Sequence, residues 1–133
     1  MQNALDTLKQ RGDAVYVTPQ NLIEFWNAAT RPVQNNGFGI TPLQAEQEVM
    51  RIESYFRTAE ETPFIYPAWR QIVSSVGVSG AQVHDARLVA VMQVHGLTHL
   101  LTLNTRDFAR YPGITVVPPQ DVLGTPPAGQ TPP

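Results

Sequence analysis

At 133 residues the chain suits one domain and is too short for two comfortable cores. Apolar residues make up 42%, which excludes wholesale disorder; no apolar run reaches the roughly 18 residues of a membrane span, and the opening MQNALDTLKQRGD lacks the apolar stretch of a secretory signal. The absence of cysteine excludes disulfides and thiolate metal sites, and a net charge of −2 argues against a protein that wraps duplex nucleic acid, leaving carboxylates and three histidines as strong metal ligands.

Residues 3–11 read as a short helix, turned by Gly12 and Asp13. Val15-Tyr16-Val17 reads as a strand. Thr18 followed by Pro19 is a helix cap with proline at the first helical position, where a missing N–H costs nothing. That helix should run over residues 19–29, with Leu22, Ile23, Phe25, Trp26 and Ala29 as its apolar face and Pro32 behind it. Residues 31–39, rich in Pro, Asn and Gly, form a loop. Thr41-Pro42-Leu43-Gln44 is a capping box opening a helix over residues 42–57.

Residues 63–66 are expected as a short edge strand, and Pro67 opens a helix reaching Val76. Ser79-Gly80-Ala81-Gln82 reads as a second capping box, starting a long helix over residues 80–95 that Gly96 terminates. Residues 100–103 form a strand, Asn104 or Thr105 caps a short helix through Ala109, and residues 114–117 form the last strand. A final turn is expected at residues 119–123, and TPPAGQTPP at the end reads as a flexible tail over residues 124–133. Helices interleaved with short apolar strands predict an α/β layered domain over residues 1–123 with a mainly parallel sheet.

Three acids stand where chemistry is plausible. Glu24 sits in LIEFWN, in the helix after a strand and its cap. An ordinary amphipathic helix would bury the aromatics and leave this acid wet; a core-facing acid would need a metal or a donor. Asp85 lies in VHDARLVAVM, at the start of a helix apolar enough to be largely covered. Its placement also suits a simple first-turn acid stabilised by the helix dipole. His84 and Asp85 are adjacent and so do not share a helix face, which makes them a poor chelating pair. Asp107 follows the strand in LLTLNTRDF, and carboxyl ends of parallel strands are where open α/β sheets place sites. Asn104 and Thr105 occupy the intervening turn as caps or as groups that orient water or phosphate, and Arg106 is either a surface residue or a phosphate contact. Together the acids suggest a site of oxygen ligands for a hard cation, Mg²⁺ or Mn²⁺, of the kind that orients water against a phosphodiester.

The segments TPQNLIEFWNAATRP, SGAQVHDARLVAVMQVHGLTHLLTLNTRDF and PGITVVPP resemble the PIN-domain family and, more narrowly, the VapC-type toxins of toxin–antitoxin pairs. The resemblance covers roughly residues 5–122. It implies a three-layer α/β/α sandwich around a mainly parallel sheet, Mg²⁺-dependent hydrolysis of RNA (with Mn²⁺ as an alternative), a homodimer, a cognate antitoxin and a cytoplasmic home without membrane contact. It assigns Glu24, Asp85 and Asp107 as acidic metal ligands and Asn104 and Thr105 as the polar turn assisting them. One departure stands out. The family begins with a strand carrying another Asp, normally central, between the strands matching residues 15–17 and 100–103. Asp6-Thr7 imitates that signature, but no β-rich run precedes it and LKQRGD follows, so the first acid is not carried to Asp6. A chain without that strand is expected to cleave RNA poorly. The alternative is a non-catalytic module that binds an antitoxin or itself.

Overall fold

The computed structural model describes residues 1–123; the proline-rich segment expected as a tail at 124–133 lies outside the described residues. In chain order the elements are α1 (Gln2–Gln10), β1 (Tyr16–Val17), α2 (Pro19–Thr30), α3 (Pro42–Tyr55), β2 (Arg57–Thr58), α4 (Ile65–Val76), α5 (Val83–Val94), β3 (His99–Leu101), α6 (Thr105–Phe108), β4 (Thr115–Val117) and α7 (Pro119–Leu123). The described residues divide into two compact units, Tyr16–Glu61 and the combination of Met1–Val15 with the residues from Thr62 onward. No helix among the described residues is long and apolar enough to cross a membrane.

In the Tyr16–Glu61 unit, local chemistry sets both helix starts. The Asn21 N–H donates to Thr18 Oγ1 at 3.1 Å, and the Thr18 N–H donates to Asn21 Oδ1 at 2.9 Å. Thr41 and Gln44 repeat this reciprocal arrangement at 2.9 and 3.1 Å, and each helix has Pro in its first turn. These bonds satisfy N–H groups that a helix start otherwise leaves without partners. After α2 the loop folds back, with the Phe38 N–H on Ala28 O and the Ile40 N–H on Ala29 O. Gly37 is required there, because a Cβ would lie 1.9 Å from the Arg31 carbonyl oxygen. Helix α2 packs against α3.

The structure corrects two boundaries here. The second strand is not at residues 63–66. The chain leaves α3 at Phe56, in extended conformation, and Arg57–Thr58 pairs in parallel with β1, Tyr16 opposite Arg57 and Val17 opposite Thr58. The Ala59 N–H extends the ladder to Val17 O at 2.8 Å. Residues 62–65 instead turn into α4: the Phe64 N–H donates to Thr62 Oγ1 and the Ile65 N–H to Thr62 O. A threonine hydroxyl competing for local N–H groups draws the backbone into a turn and away from a ladder.

The second unit is built on the α4–α5 pair. Ala86, Leu88, Val89, Ala90, Val91 and Met92 of α5 are buried, as are Ile65 and Ile72 of α4. Each fully buried side chain of valine or isoleucine size contributes about 1.5–3 kcal/mol. The expected capping box at Ser79 does not form. Ser79 makes no side-chain cap bond, residues Gly80–Gln82 are a 3-10 turn entered through a left-handed Gly80 (φ 65°), and α5 proper starts at Val83. At its other end Gly96 does terminate the helix, with the Leu97 N–H on Met92 O at 2.8 Å and the Gly96 N–H on Gln93 O at 3.2 Å. Strands β3 and β4 pair in parallel, Leu100 opposite Val116, with α6 crossing between them and α7 packed on α1.

The architecture is thus mixed α/β with parallel strand pairs. Among the described residues the four strands form two separate two-stranded sheets, β1–β2 and β3–β4, and not one continuous central sheet.

Candidate active site

Asp107 is the acid with the clearest local setting. It lies in α6, the single helical turn that follows the carboxyl end of β3, half-buried beside the buried Phe108. The Thr102 hydroxyl accepts the Asn104 N–H at 3.0 Å, which fixes the turn. Asn104 occupies the cap position of α6 but makes no side-chain cap bond. Its Nδ2 instead donates to Asp107 Oδ2 at 3.0 Å. A neutral amide donor thereby orients the carboxylate with respect to the strand end. Thr105 opens the helix half-buried, and Arg106 is exposed.

Asp85 is in the first turn of α5 and half-buried, whereas His84 is exposed. Adjacent residues thus diverge, as helix geometry requires. The apolar packing of the following turns holds Asp85 on the best-buried helix among the described residues. A feature invisible in the reading of acids stands close by in the sequence: Trp69 of α4 donates its Nε1–H to the Val83 carbonyl oxygen at 2.8 Å. The Tyr66 and Trp69 rings are stacked, centroids 5.8 Å apart at 24°. The only sequence signal for this pair was the spacing of two aromatics three residues apart on a helix.

Glu24 lies in the Tyr16–Glu61 unit, on the exposed side of α2, where Gln20 Nε2 donates to its Oε1 at 3.3 Å. Phe25 and Trp26 are half-buried. That is the arrangement an amphipathic helix gives without any metal. Asp6 belongs to α1 and accepts from Gln2 Nε2 at 3.1 Å, consistent with its reading as a helical residue. Among the described residues no group of three or more His, Cys, Asp or Glu could hold a metal ion. The described side chains therefore do not form a ready-made cage for Mg²⁺ or Mn²⁺, which needs several oxygen ligands in near-fixed geometry.

A second feature lies on the Tyr16–Glu61 unit. Leu22, Ile23, Trp26, Asn27, Thr30 and Val49 line an open groove of about 540 Å³ between α2 and α3. Ile23 in its lining is 69% exposed, and Met50, next to Val49 on α3, is 61% exposed.

No family model matches the chain. It is similar to the ribonuclease VapC48 of two strains of Mycobacterium tuberculosis, 32% identical to each over 83 residues, or 59% of this chain. The match spans 57% of each relative's length, little more than half. The likeness is a family-level resemblance to VapC-type ribonucleases.

Proposed function

We propose that the chain carries a large part of a metal-dependent endoribonuclease of the toxin–antitoxin type. The observation that carries this reading is the 83-residue match to a ribonuclease. The Asn104–Asp107 pair at the end of a parallel strand supports it, because an oriented carboxylate at a strand's carboxyl end is what such a site requires. In this reading the resemblance assigns Glu24, Asp85 and Asp107 as acidic ligands for Mg²⁺ or Mn²⁺, although no group able to hold a metal forms among the described residues. Asn104 and Thr105 order the turn beside Asp107. A further acid would come from the Asp-bearing strand that the resemblance expects before α1, and that strand would complete a three-layer sandwich.

The test is cleavage of a labelled single-stranded RNA with Mg²⁺ or Mn²⁺, with Asp85→Ala as the control for contaminating nuclease. Because no group able to hold a metal forms among the described residues, the chain as given is expected to cleave weakly or not at all. A version extended upstream by an Asp-bearing strand should cleave well, since small displacements of an oriented group cost on the order of 10²-fold in rate. Failure of the extended chain with either metal overturns the catalytic reading.

The groove on α2 and α3 favours a second reading, a surface for an antitoxin or for a second copy of the chain. Exposed apolar area of this kind is costly unless it is covered by a partner. A homodimer is expected. Sedimentation equilibrium that yields a 14.7 kDa monomer throughout the micromolar range refutes it.

A further inference from the structure

In the stacked pair Tyr66–Trp69, Trp69 is half-buried against α5 while Tyr66 stands outside the core with no assigned role. Tyr66 is 63% exposed although it is a large aromatic, and one ring face is already committed to Trp69. Trp69 is held by its bond to the Val83 carbonyl, so the stack is fixed to the helix that carries Asp85 two residues further on. Four residues after Tyr66, on the same helix face, comes the exposed Arg70. It is the single charged residue of α4, and the helix contains no acid. A fixed aromatic stack with an exposed ring, one cation beside it and no carboxylate on the helix matches what an unpaired nucleotide needs. The base stacks on the ring and the phosphate meets the guanidinium.

We infer that Tyr66, backed by Trp69 and flanked by Arg70, is a stacking subsite for one unpaired base of an RNA strand. The subsite deepens the ribonuclease reading and rests on it: it makes the substrate single-stranded at this position, because a paired base keeps its faces in the duplex stack. Trp69 preorganises Tyr66, so the ring is already oriented before a base arrives.

The experiment measures binding of the full chain to a single-stranded oligoribonucleotide containing 2-aminopurine, in EDTA so that no cleavage occurs. Stacking quenches the 2-aminopurine emission. Tyr66→Leu, which keeps apolar bulk and loses the ring, should weaken binding by about tenfold or more and remove the quench. Tyr66→Phe should retain both. Arg70→Gln, at an exposed position where folding is not at issue, should weaken binding and flatten its salt dependence. The same oligonucleotide annealed to its complement should show no dependence on residue 66. Equal binding by the parent chain and Tyr66→Leu overturns the subsite, as does absence of any binding by the parent. So does a Tyr66→Leu variant whose change is confined to sedimentation, which would assign the face to a second copy of the chain. The ribonuclease reading is judged separately, by Mg²⁺-dependent cleavage in the extended chain. Cleavage indifferent to Tyr66 removes the subsite alone, and Tyr66-dependent binding without cleavage removes catalysis alone.

Discussion

Helices α3 and α5 have 14 and 12 residues and treat apolar side chains in opposite ways. Half of α5 is buried, from Ala86 to Met92. Of α3 only Ala45 is buried, and Leu43 and Met50 stand in the open. The surface of α3 is held by local devices instead, a capping box and the exposed Glu48–Arg51 pair at 2.9 Å, which contributes little in solvent. Cohesion of the chain is therefore concentrated on α4 and α5, and α2 with α3 offers apolar area outward.

Substitutions in both helix pairs test this contrast. Ile65→Ala, at a fully buried position in the first turn of α4, should cost about 2–5 kcal/mol in a urea melt. A smaller loss would mean that the α4–α5 contact is not the stabilising core. Asn104→Ala, in a form of the chain that cleaves RNA, should reduce kcat by roughly 10²-fold with the melting temperature unmoved, because the residue orients Asp107 and buries nothing. Equal loss of stability and activity would show a merely structural role. Thr18→Ala removes a cap in the other unit, where Thr18 is 4% exposed, and should cost about 0.5–2 kcal/mol by thermal denaturation. Trp69→Phe deletes the bond to the Val83 carbonyl and should cost about 1 kcal/mol. Met50→Ser should stay within about 0.5 kcal/mol while lowering any self-association, which light scattering reads directly. A large destabilisation there would show that α3 is more deeply packed than its exposure implies.

Features set by residues close in sequence were legible without the fold. The Thr18 cap before Pro19 and the Thr41–Gln44 capping box follow from neighbouring residues, and their bonds need nothing from elsewhere in the chain, whereas the reciprocal bond from the Thr18 N–H to Asn21 emerged only in the structure. The buried α5 was legible from an apolar run too long and too complete for any helix left in water, and Gly96 from its place after that run. The same local logic failed at Ser79, where Gly80 adopts φ 65° and a 3-10 turn delays the helix to Val83. It failed at Arg57–Thr58, whose composition says nothing of a strand, because only the hydrogen bonds with β1 across 40 intervening positions make one. Asp107 could be singled out as an acid after a strand, but whether Asn104 caps the helix or orients that acid depended on which way the amide turns once Thr102 has fixed the backbone. The threonine-capped helix starts, the stop at Gly96 and the need to cover α5 were written in the sequence alone, since those energies act over one or two turns. Strand partners, the direction of Asn104 and the tether from Trp69 to Val83 were decided by the tertiary structure, since each is a bond whose second member is positioned only by the packing of other elements.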